Sequence, residues 1–251
     1  MNTTLIVMTL NEIDGMKFIM PQIDRKWVHQ IIIVDGGSTD GTVEWAHAQG
    51  YEVYEQKRKG IRFAYMEVLD LVRGDAIFTF SPDGNSPPED IPRLIAKREE
   101  GDFDLVIGSR YKDDATSSDD DIITAFGNWL FTRTVNLLHG GAYTDAMVIY
   151  RIYKKDIIYQ LDLHKDESYT LAEKMFGTII SWEPLMSVRA AKAKLKIAEI
   201  PVDEPDRIGG ERKLQILRWG AAYYFQFIWE VFSWKPKTGL SQVTQNEKKE
   251  N

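Results

Sequence analysis

The stretch Ile31-Ile32-Ile33-Val34-Asp35-Gly36-Gly37-Ser38-Thr39-Asp40-Gly41-Thr42 joins four apolar residues to a turn rich in glycine and small polar residues. An apolar run that is continuous rather than alternating is typical of a strand buried on both faces of a parallel sheet. At its end, Asp35 can accept hydrogen bonds from a ligand, and Gly36 and Gly37 allow the backbone to approach that ligand closely. The same residues also fit a simple glycine turn in which Asp40 caps the next helix.

Further apolar runs of the same kind predict the rest of the sheet. They lie at residues 5–8, 76–80 and 105–107. Segments long enough for crossover helices accompany them at residues 42–49, 63–72 and 88–98. This alternation predicts a mostly parallel, Rossmann-like α/β sheet with flanking helices. Later in the chain we expect helices at residues 122–138 and 179–193 and strands at residues 148–153 and 196–200.

Polar, turn-rich segments directly follow the apolar runs. They are residues 9–12, 35–42, 81–88 and 108–111. In an open α/β sheet, ligands lie beyond the carboxyl ends of the strands. We therefore expect these four segments to converge on one edge of the sheet and to form one site.

The remaining segments set the expected organisation of the chain. Residues 113–121 hold five aspartates and are expected to form a solvated loop. Residues 215–234 are apolar and aromatic but include charged and amide side chains, which favours an amphipathic helix lying on a membrane over one that crosses it. The predicted units are an α/β domain at 1–214, this C-terminal amphipathic helix at 215–234, and a disordered polar tail at 235–251.

Composition excludes several classes of function. The net charge is −7 and the basic residues form no stripe in the sequence, which argues against a nucleic-acid partner. Because cysteine is absent, disulfides, thiolate zinc sites and cysteine nucleophiles are excluded, and a reducing compartment fits. The first residues lack the charged segment of a secretory signal. A cytoplasmic location is expected, including the inner face of the membrane.

The segment around Asp35 resembles the V-D-D-G-S-x-D-x-T signature of family 2 glycosyltransferases, with Gly36 where an aspartate is common. Residues 9–12 resemble the family's N-E element, and residues 108–111 match its G-S-R-Y step. The resemblance spans about residues 4–214 and implies a GT-A fold, a nucleotide-sugar donor and a divalent cation, Mg²⁺ or Mn²⁺. It also implies that the nucleotide is bound by Thr9, Asn11, Glu12, Asp35, Ser81 and Asp83.

The turn Ser81-Pro82-Asp83-Gly84-Asn85-Ser86-Pro87-Pro88-Glu89 corresponds to the family's D-x-D element, but Ser81 stands where the first aspartate is usual. The resemblance makes Asp83 a metal ligand and a catalytic residue, and Asn85 a second metal ligand. One carboxylate, an amide and the diphosphate oxygens can suffice, because Mg²⁺ usually keeps several waters. A proline-glycine turn in which Ser86 caps the next helix is the alternative.

Basic and acidic residues farther along complete the resemblance. Arg110 is expected to be a fixed cation near the acceptor or the diphosphate, and Asp145 with Arg151 partly matches the family's D-x-x-x-G-f-R stretch. Arg110 and Asp145 are therefore candidate catalytic residues. Residues 198–213 are similar to the C-terminal motif of polyprenyl-phosphate glycosyltransferases. That similarity implies a phosphate-binding group made of Arg207, Arg212 and Lys213.

The resemblance favours an inverting transferase that moves a sugar to a polyprenyl phosphate, an anionic acceptor that needs no strong general base. Transfer to a hydroxyl of a polysaccharide or glycoconjugate would need a carboxylate base, for which Asp145 and Glu183 are candidates. A sugar-nucleotide-binding protein without turnover is the third alternative. The expected partners are a nucleotide sugar, a lipid-phosphate or glycan acceptor, and a membrane surface.

Overall fold

The computed structural model describes residues 2–208 and 216–237, with side chains of the last helix from residue 218 onward. Seven strands in this part of the chain form one sheet in the order β3-β2-β1-β4-β6-β5-β7. They are β1 (Thr3–Thr9), β2 (Gln30–Asp35), β3 (Glu52–Glu55), β4 (Ala76–Phe80), β5 (Leu105–Ser109), β6 (Arg151–Lys154) and β7 (Ile197–Pro201). The α-helices are α1 (Ile13–Ile19), α2 (Thr42–Ala48), α3 (Ile61–Val68), α4 (Ile91–Gly101), α5 (Ile122–His139), α6 (Ile157–Gln160), α7 (Glu167–Phe176), α8 (Trp182–Lys192) and α9 (Ile216–Ser233).

The sheet is mostly parallel, as predicted. The exception is β6, which runs antiparallel to both of its neighbours, β4 and β5. Strand β1 lies between β2 and β4 and is parallel to both. The carboxyl ends of these three strands therefore meet at one edge, and the loops that follow them are neighbours.

The core lies on both faces of the sheet. Ile6 and Ile32 pack on one face with helices α3, α5, α7, α8 and α9. Their chain neighbours Leu5 and Ile33 pack on the other face with α1, α2 and α4. Successive residues of a strand point to opposite faces, so a strand covered on both sides must be apolar throughout. This confirms the interpretation of the continuous apolar runs.

Several elements differ from the prediction. Strand β3 was not predicted, because it is an edge strand whose residues are polar and only partly buried. Helices α1 and α7 were also not predicted; each is short. The strand expected at residues 148–153 is β6 at Arg151–Lys154, because residues 146–150 form an irregular connection that packs against the core.

The expected C-terminal helix is present as α9, and it packs against α5, α7 and α8. Gln226 and Glu230 interrupt its apolar sequence, and both side chains are buried against the protein. Glu230 pairs with Arg189 of α8, with Nη2 and Oε1 2.8 Å apart. None of the helices in the described residues has the length and apolar content needed to cross a bilayer. Most of the predicted tail lies outside the described residues.

Candidate active site

Asp35 organises the loop that follows β2. Its Oδ2 accepts hydrogen bonds from the backbone N–H groups of Gly37 and Ser38, each at 2.8 Å. Its Oδ1 accepts from the hydroxyl of Thr9 at 3.1 Å, across the register pair that joins β1 and β2. Asp35 is 1% exposed, and its carboxylate accepts hydrogen bonds from its own loop and from Thr9. Gly36 and Gly37 remain the positions where backbone can approach a ligand, and the predicted contact of Asp35 with a nucleoside stays a prediction.

Asn11 joins the first strand-end loop to the second. It has a positive φ of 53°, a backbone conformation that asparagine tolerates better than most residues. Its N–H donates to the hydroxyl of Ser38 and its Oδ1 accepts from the N–H of Thr39, both at 2.8 Å. The Asn11 side chain is thus used to hold the two loops together.

The Asp40 side chain accepts hydrogen bonds at the first turns of two helices, α1 and α2. One of its oxygens accepts from the N–H of Ile13, the first residue of α1, at 3.0 Å. The other accepts from the N–H of Thr42, the first residue of α2, at 3.0 Å. Burial opposes ionisation, but these hydrogen bonds outweigh it and lower the pKa of Asp40. The Asp40 side chain therefore bonds the first N–H of both helices, although the N-cap residue of α2 is Gly41.

Glu12 lies at the N-terminal end of α1, beside the same loops. Its N–H donates to the hydroxyl of Thr42 at 3.2 Å, and the residue is 8% exposed. Helix α1 also packs tightly on the third loop, since a Cβ at Gly15 would lie 2.1 Å from the carbonyl oxygen of Pro82. The predicted nucleotide-binding residues Thr9, Glu12, Asp35 and Ser81 thus lie on loops in mutual contact.

The turn after β4 carries the predicted metal ligands; we call residues 81–85 the metal turn. Asp83 is 7% exposed, and its Oδ1 accepts from the N–H of Asn85 at 3.2 Å. Its Oδ2 lies 3.0 Å from Nη1 of Arg207, and its carbonyl accepts from the N–H of Ile208 at 2.7 Å. Gly84 has a φ of 95° and faces Ile208, where a Cβ would meet Cγ1 at 2.7 Å. The 207–208 segment therefore packs directly on the metal turn.

Arg207 is the member of the predicted phosphate-binding group that lies within the described residues, and it is at this site. Arg207 pairs with Asp83, so the predicted phosphate ligand neutralises the predicted metal ligand. Arg212 and Lys213 lie outside the described residues.

The aspartate-rich segment after β5 borders the metal turn. Asn85 donates from Nδ2 to Oδ2 of Asp119 at 2.9 Å. Thr116 accepts from the N–H of Glu204 at 2.8 Å, and Ser118 donates to the carbonyl of Glu204 at the same distance. Asp113 and Asp114 are exposed as expected, but Asp119 is partly buried. The prediction of a solvated loop therefore fails at Asp119 and Asp120, which are partly buried, whereas Ser118 and Asp121 are exposed.

Arg110 is held between two carboxylates. Its Nε lies 2.6 Å from Oδ2 of Asp145 and its Nη2 3.1 Å from Oδ1, a bidentate pair. Its Nη1 lies 3.3 Å from Oε1 of Glu204. Burial disfavours the charge of Arg110, but the two carboxylates outweigh this effect and raise its pKa. Burial likewise opposes ionisation of Asp145, and the contact with Arg110 overcomes it and lowers that pKa.

Neither carboxylate considered as a general base is exposed in this structure. Asp145 is 0% exposed beneath Arg110. Glu183 is also 0% exposed and accepts hydrogen bonds from Tyr65 and Ser181 inside the core, where burial raises its pKa. Arg151 is fully buried in the core, where it donates to the carbonyl of Glu183 at 3.1 Å. Of the two residues that partly match the D-x-x-x-G-f-R stretch, Asp145 therefore pairs with Arg110, and Arg151 lies in the core.

The donor atoms at the metal turn suit a hard divalent cation. Asp83 supplies a carboxylate, and Oδ1 of Asn85 is buried without a hydrogen-bond donor among the described residues. Mg²⁺ and Mn²⁺ both accept such oxygen ligands. Across the described chain, no three histidine or carboxylate side chains gather as a complete metal cluster. A cation here would therefore share its coordination between protein, water and ligand oxygens.

Asp119 and Glu204 were missed as members of this site. Asp119 is one of five aspartates in residues 113–121, and nothing in the sequence distinguishes it from the others. That the run follows the G-S-R-Y segment, residues 108–111, could have indicated that it lies near the site. Glu204 follows β7, which is parallel to β5, so its loop emerges at the same edge of the sheet. Recognising that parallel pairing would have indicated Glu204.

Comparison with known proteins identifies the family. The family model described as glycosyl transferase family 2 matches residues 6–162. The undecaprenyl-phosphate mannosyltransferase of Micrococcus luteus is 27% identical over 242 residues, covering 88% of this chain and 95% of that protein. The undecaprenyl-phosphate 4-deoxy-4-formamido-L-arabinose transferase of Klebsiella pneumoniae is 26% identical over 228 residues, covering 86% of this chain and 63% of that protein.

A solved structure shares the architecture. Glucosyl-3-phosphoglycerate synthase from Mycobacterium tuberculosis, crystallised with Mn²⁺, uridine diphosphate and phosphoglyceric acid, superposes with a TM-score of 0.62. Its sequence is 18% identical, and the match covers 95% of this chain and 80% of that one. This similarity agrees with the predicted GT-A fold. The chain is a glycosyltransferase and belongs to family 2.

Proposed function

We propose that this enzyme transfers a sugar from a nucleoside diphosphate donor to a polyprenyl phosphate, with Mg²⁺ or Mn²⁺ at Asp83 and Asn85. The observation that carries the proposal is the meeting of three strand-end loops, after β1, β2 and β4, with the oxygen donors of the metal turn at their junction. The similar mannosyltransferase and arabinose transferase are both named for undecaprenyl phosphate, which supports this class of acceptor.

In this proposal the same three loops bind the donor. The nucleoside lies against residues 9–12 and the Gly36–Gly37 backbone, and the diphosphate extends toward Asp83. The Mn²⁺ and uridine diphosphate held by the structurally similar synthase support a metal-assisted diphosphate site. When bound, the cation neutralises charge on the departing diphosphate. Arg207, already at this turn, adds a second positive charge there.

The chemical step is a single displacement. A phosphate oxygen of the acceptor forms a bond to the anomeric carbon, the bond from that carbon to the diphosphate oxygen breaks, and the nucleoside diphosphate leaves with the electron pair. One displacement inverts the anomeric configuration. Because the acceptor is already an anion, no proton needs to be removed, and the full burial of Asp145 and Glu183 fits that requirement. In this proposal Arg110, which Asp145 and Glu204 hold in position, is the fixed cation near the acceptor.

Exposed apolar side chains on α5 and α9 support a location at a membrane surface. Helix α5 starts directly after the loop that carries Asp119, and its first turns expose Ile122, Phe126 and Trp129. Helix α9 packs beside α5 through Phe131 and Phe227, whose ring centroids are 5.9 Å apart, and exposes further aromatic side chains. Exposed aromatic and aliphatic side chains on helices are suited to the bilayer interface. A lipid acceptor held there would present its phosphate beside the metal turn.

The test is a transfer assay with labelled UDP- and GDP-hexoses, Mn²⁺, and either undecaprenyl phosphate or a free sugar acceptor. Formation of an organic-soluble, labelled lipid with inverted configuration by NMR is expected. Transfer only to the sugar hydroxyl would replace the proposed acceptor class. Donor binding without any product in either arm would indicate the non-catalytic alternative.

A further inference from the structure

We propose that Asp119 supplies the second carboxylate of the cation site, the group that Ser81 lacks. This inference rests on the proposed function, because it concerns the same cation. Ser81 offers a neutral hydroxyl, so Asp83 is the only carboxylate on residues 81–85. A divalent cation in a protein is commonly bound through one or two carboxylates together with phosphate oxygens.

The contact between Asp119 and Asn85 is the central observation. Oδ2 of Asp119 accepts from Nδ2 of Asn85 at 2.9 Å, across 34 positions of the chain. An ionised carboxylate only accepts hydrogen bonds, so it must meet the NH₂ side of the amide. The pair therefore fixes the orientation of the Asn85 amide: its Nδ2 bonds Asp119, and its Oδ1 takes no part in that hydrogen bond.

That amide oxygen is buried and has no hydrogen-bond donor among the described residues. A buried oxygen without a donor is costly unless something positive approaches it. Asp83 is tied to the same turn through the N–H of Asn85 at 3.2 Å. Asp83, Asn85 and Asp119 thus form one connected set of hard oxygen donors.

The loop that carries Asp119 is anchored on both sides of it. Thr116 donates its N–H to Oδ1 of Asp203 at 2.8 Å, and Ser118 donates to the carbonyl of Glu204 at 2.8 Å. On the other side, Asp121 caps α5 by accepting from the N–H of Thr124 at 2.7 Å. Anchored neighbours keep a ligand in place before the cation arrives, which reduces the entropy lost on binding.

The test is a titration with Mn²⁺ alone, in which the electron paramagnetic resonance signal of the free ion measures how much has bound. Asp119→Asn keeps the size of the side chain and an acceptor for Asn85 but removes the charge, and it should weaken Mn²⁺ binding by about 10-fold or more. Asp114→Asn is the matched control, because Asp114 is an exposed aspartate of the same loop. It should leave Mn²⁺ binding unchanged.

The double variant Ser81→Asp/Asp119→Asn moves the carboxylate to the position usual in the family and should restore parental Mn²⁺ binding. Restoration also shows that the Asp119→Asn background is folded. Parental affinity in Asp119→Asn, an equal loss in Asp114→Asn, or no restoration in the double variant would each overturn the inference while leaving the proposed function in place. A parent that binds no Mn²⁺ either alone or with uridine or guanosine diphosphate would instead contradict both.

Discussion

Arg207 places its Nη1 3.0 Å from Oδ2 of Asp83, so an arginine from the loop after β7 neutralises the carboxylate predicted to hold a metal ion. The neighbouring N–H of Ile208 donates to the carbonyl of Asp83 at 2.7 Å, which holds the two segments together. A cation at Asp83 and the guanidinium of Arg207 are both attracted to the same oxygen. The arginine is therefore expected to weaken the binding of a metal ion that arrives without a diphosphate.

We predict that Arg207→Gln binds Mn²⁺ alone up to about fivefold more tightly than the parent, because a partly exposed ion pair contributes roughly 0.2–1 kcal/mol. Calorimetric titration with MnCl₂ measures this. Arg93→Gln is the control, since Arg93 of α4 pairs with Asp90 at the start of that helix and its loss changes the net charge equally. Weaker Mn²⁺ binding in Arg207→Gln than in the parent would contradict the competition.

Replacing the central metal ligand should separate Asp83 from Ser81. Asp83→Ala is expected to abolish metal-dependent sugar transfer, because it removes the carboxylate of the turn. Ser81→Ala should cost little, because a neutral hydroxyl contributes weakly to a divalent cation. Metal titrations of donor binding and turnover on both variants check this. Full metal dependence in Asp83→Ala would show that the ion is bound elsewhere.

Asp35→Ala should weaken binding of nucleoside and of nucleoside diphosphate by similar factors. The carboxylate holds the N–H groups of Gly37 and Ser38, so its loss frees the loop that faces the nucleoside and leaves the phosphate contacts unchanged. Titration with both ligands measures the two affinities. Glu55→Ala is the matched control, because Glu55 is the register partner of Asp35 on the exposed edge strand β3. A loss confined to the diphosphate would contradict this assignment.

The exposed apolar residues of α5 should bind vesicles. Phe126→Ser/Trp129→Ser is expected to reduce co-sedimentation with phosphatidylglycerol vesicles, since it removes apolar area that would enter the interface. Phe18→Ser is the control, because Phe18 is 60% exposed, as Phe126 is, but lies on α1 against the other face of the sheet. An equal reduction in both variants would indicate non-specific adsorption.

Acid should loosen the attachment of the C-terminal helix through Asp162. Burial opposes ionisation there, but hydrogen bonds from Lys165, Trp234 and Lys237 outweigh it and lower the pKa from 3.8 to about 2. Because the folded-state pKa is the lower one, the stabilisation is fully present above about pH 4 and is lost as the pH falls toward 2.

The corresponding variant is Asp162→Asn. Above pH 4 the parent should exceed it in free energy of unfolding by roughly 1–2 kcal/mol, and the difference should shrink between pH 4 and pH 2. Urea unfolding at a series of pH values measures the difference. A gap that stays constant over this range would show that the charge of Asp162 is not the cause.

The sequence alone was sufficient for the buried strands of the sheet and for the edge at which the candidate site lies. A run such as Ile31–Val34 is apolar at every position because both faces of its strand are covered, and burial of this kind is visible residue by residue. The polar turns at Asp35 and Asp83 could be assigned to one edge for a similar reason, since parallel strands separated by crossover helices must end on the same side. Strand β3, half-buried at the margin, carries no such pattern.

Only the tertiary structure decided which side chains in the site meet. Asn85 contacts Asp119 across 34 positions, and Arg110 pairs with Asp145 across 35. These partners come from separate loops, and periodicity encodes which face of a strand or helix is buried but not how a loop folds back. Glu204 and Arg207 reach the site because β7 joins the sheet beside β5, which brings the loop after it onto the metal turn.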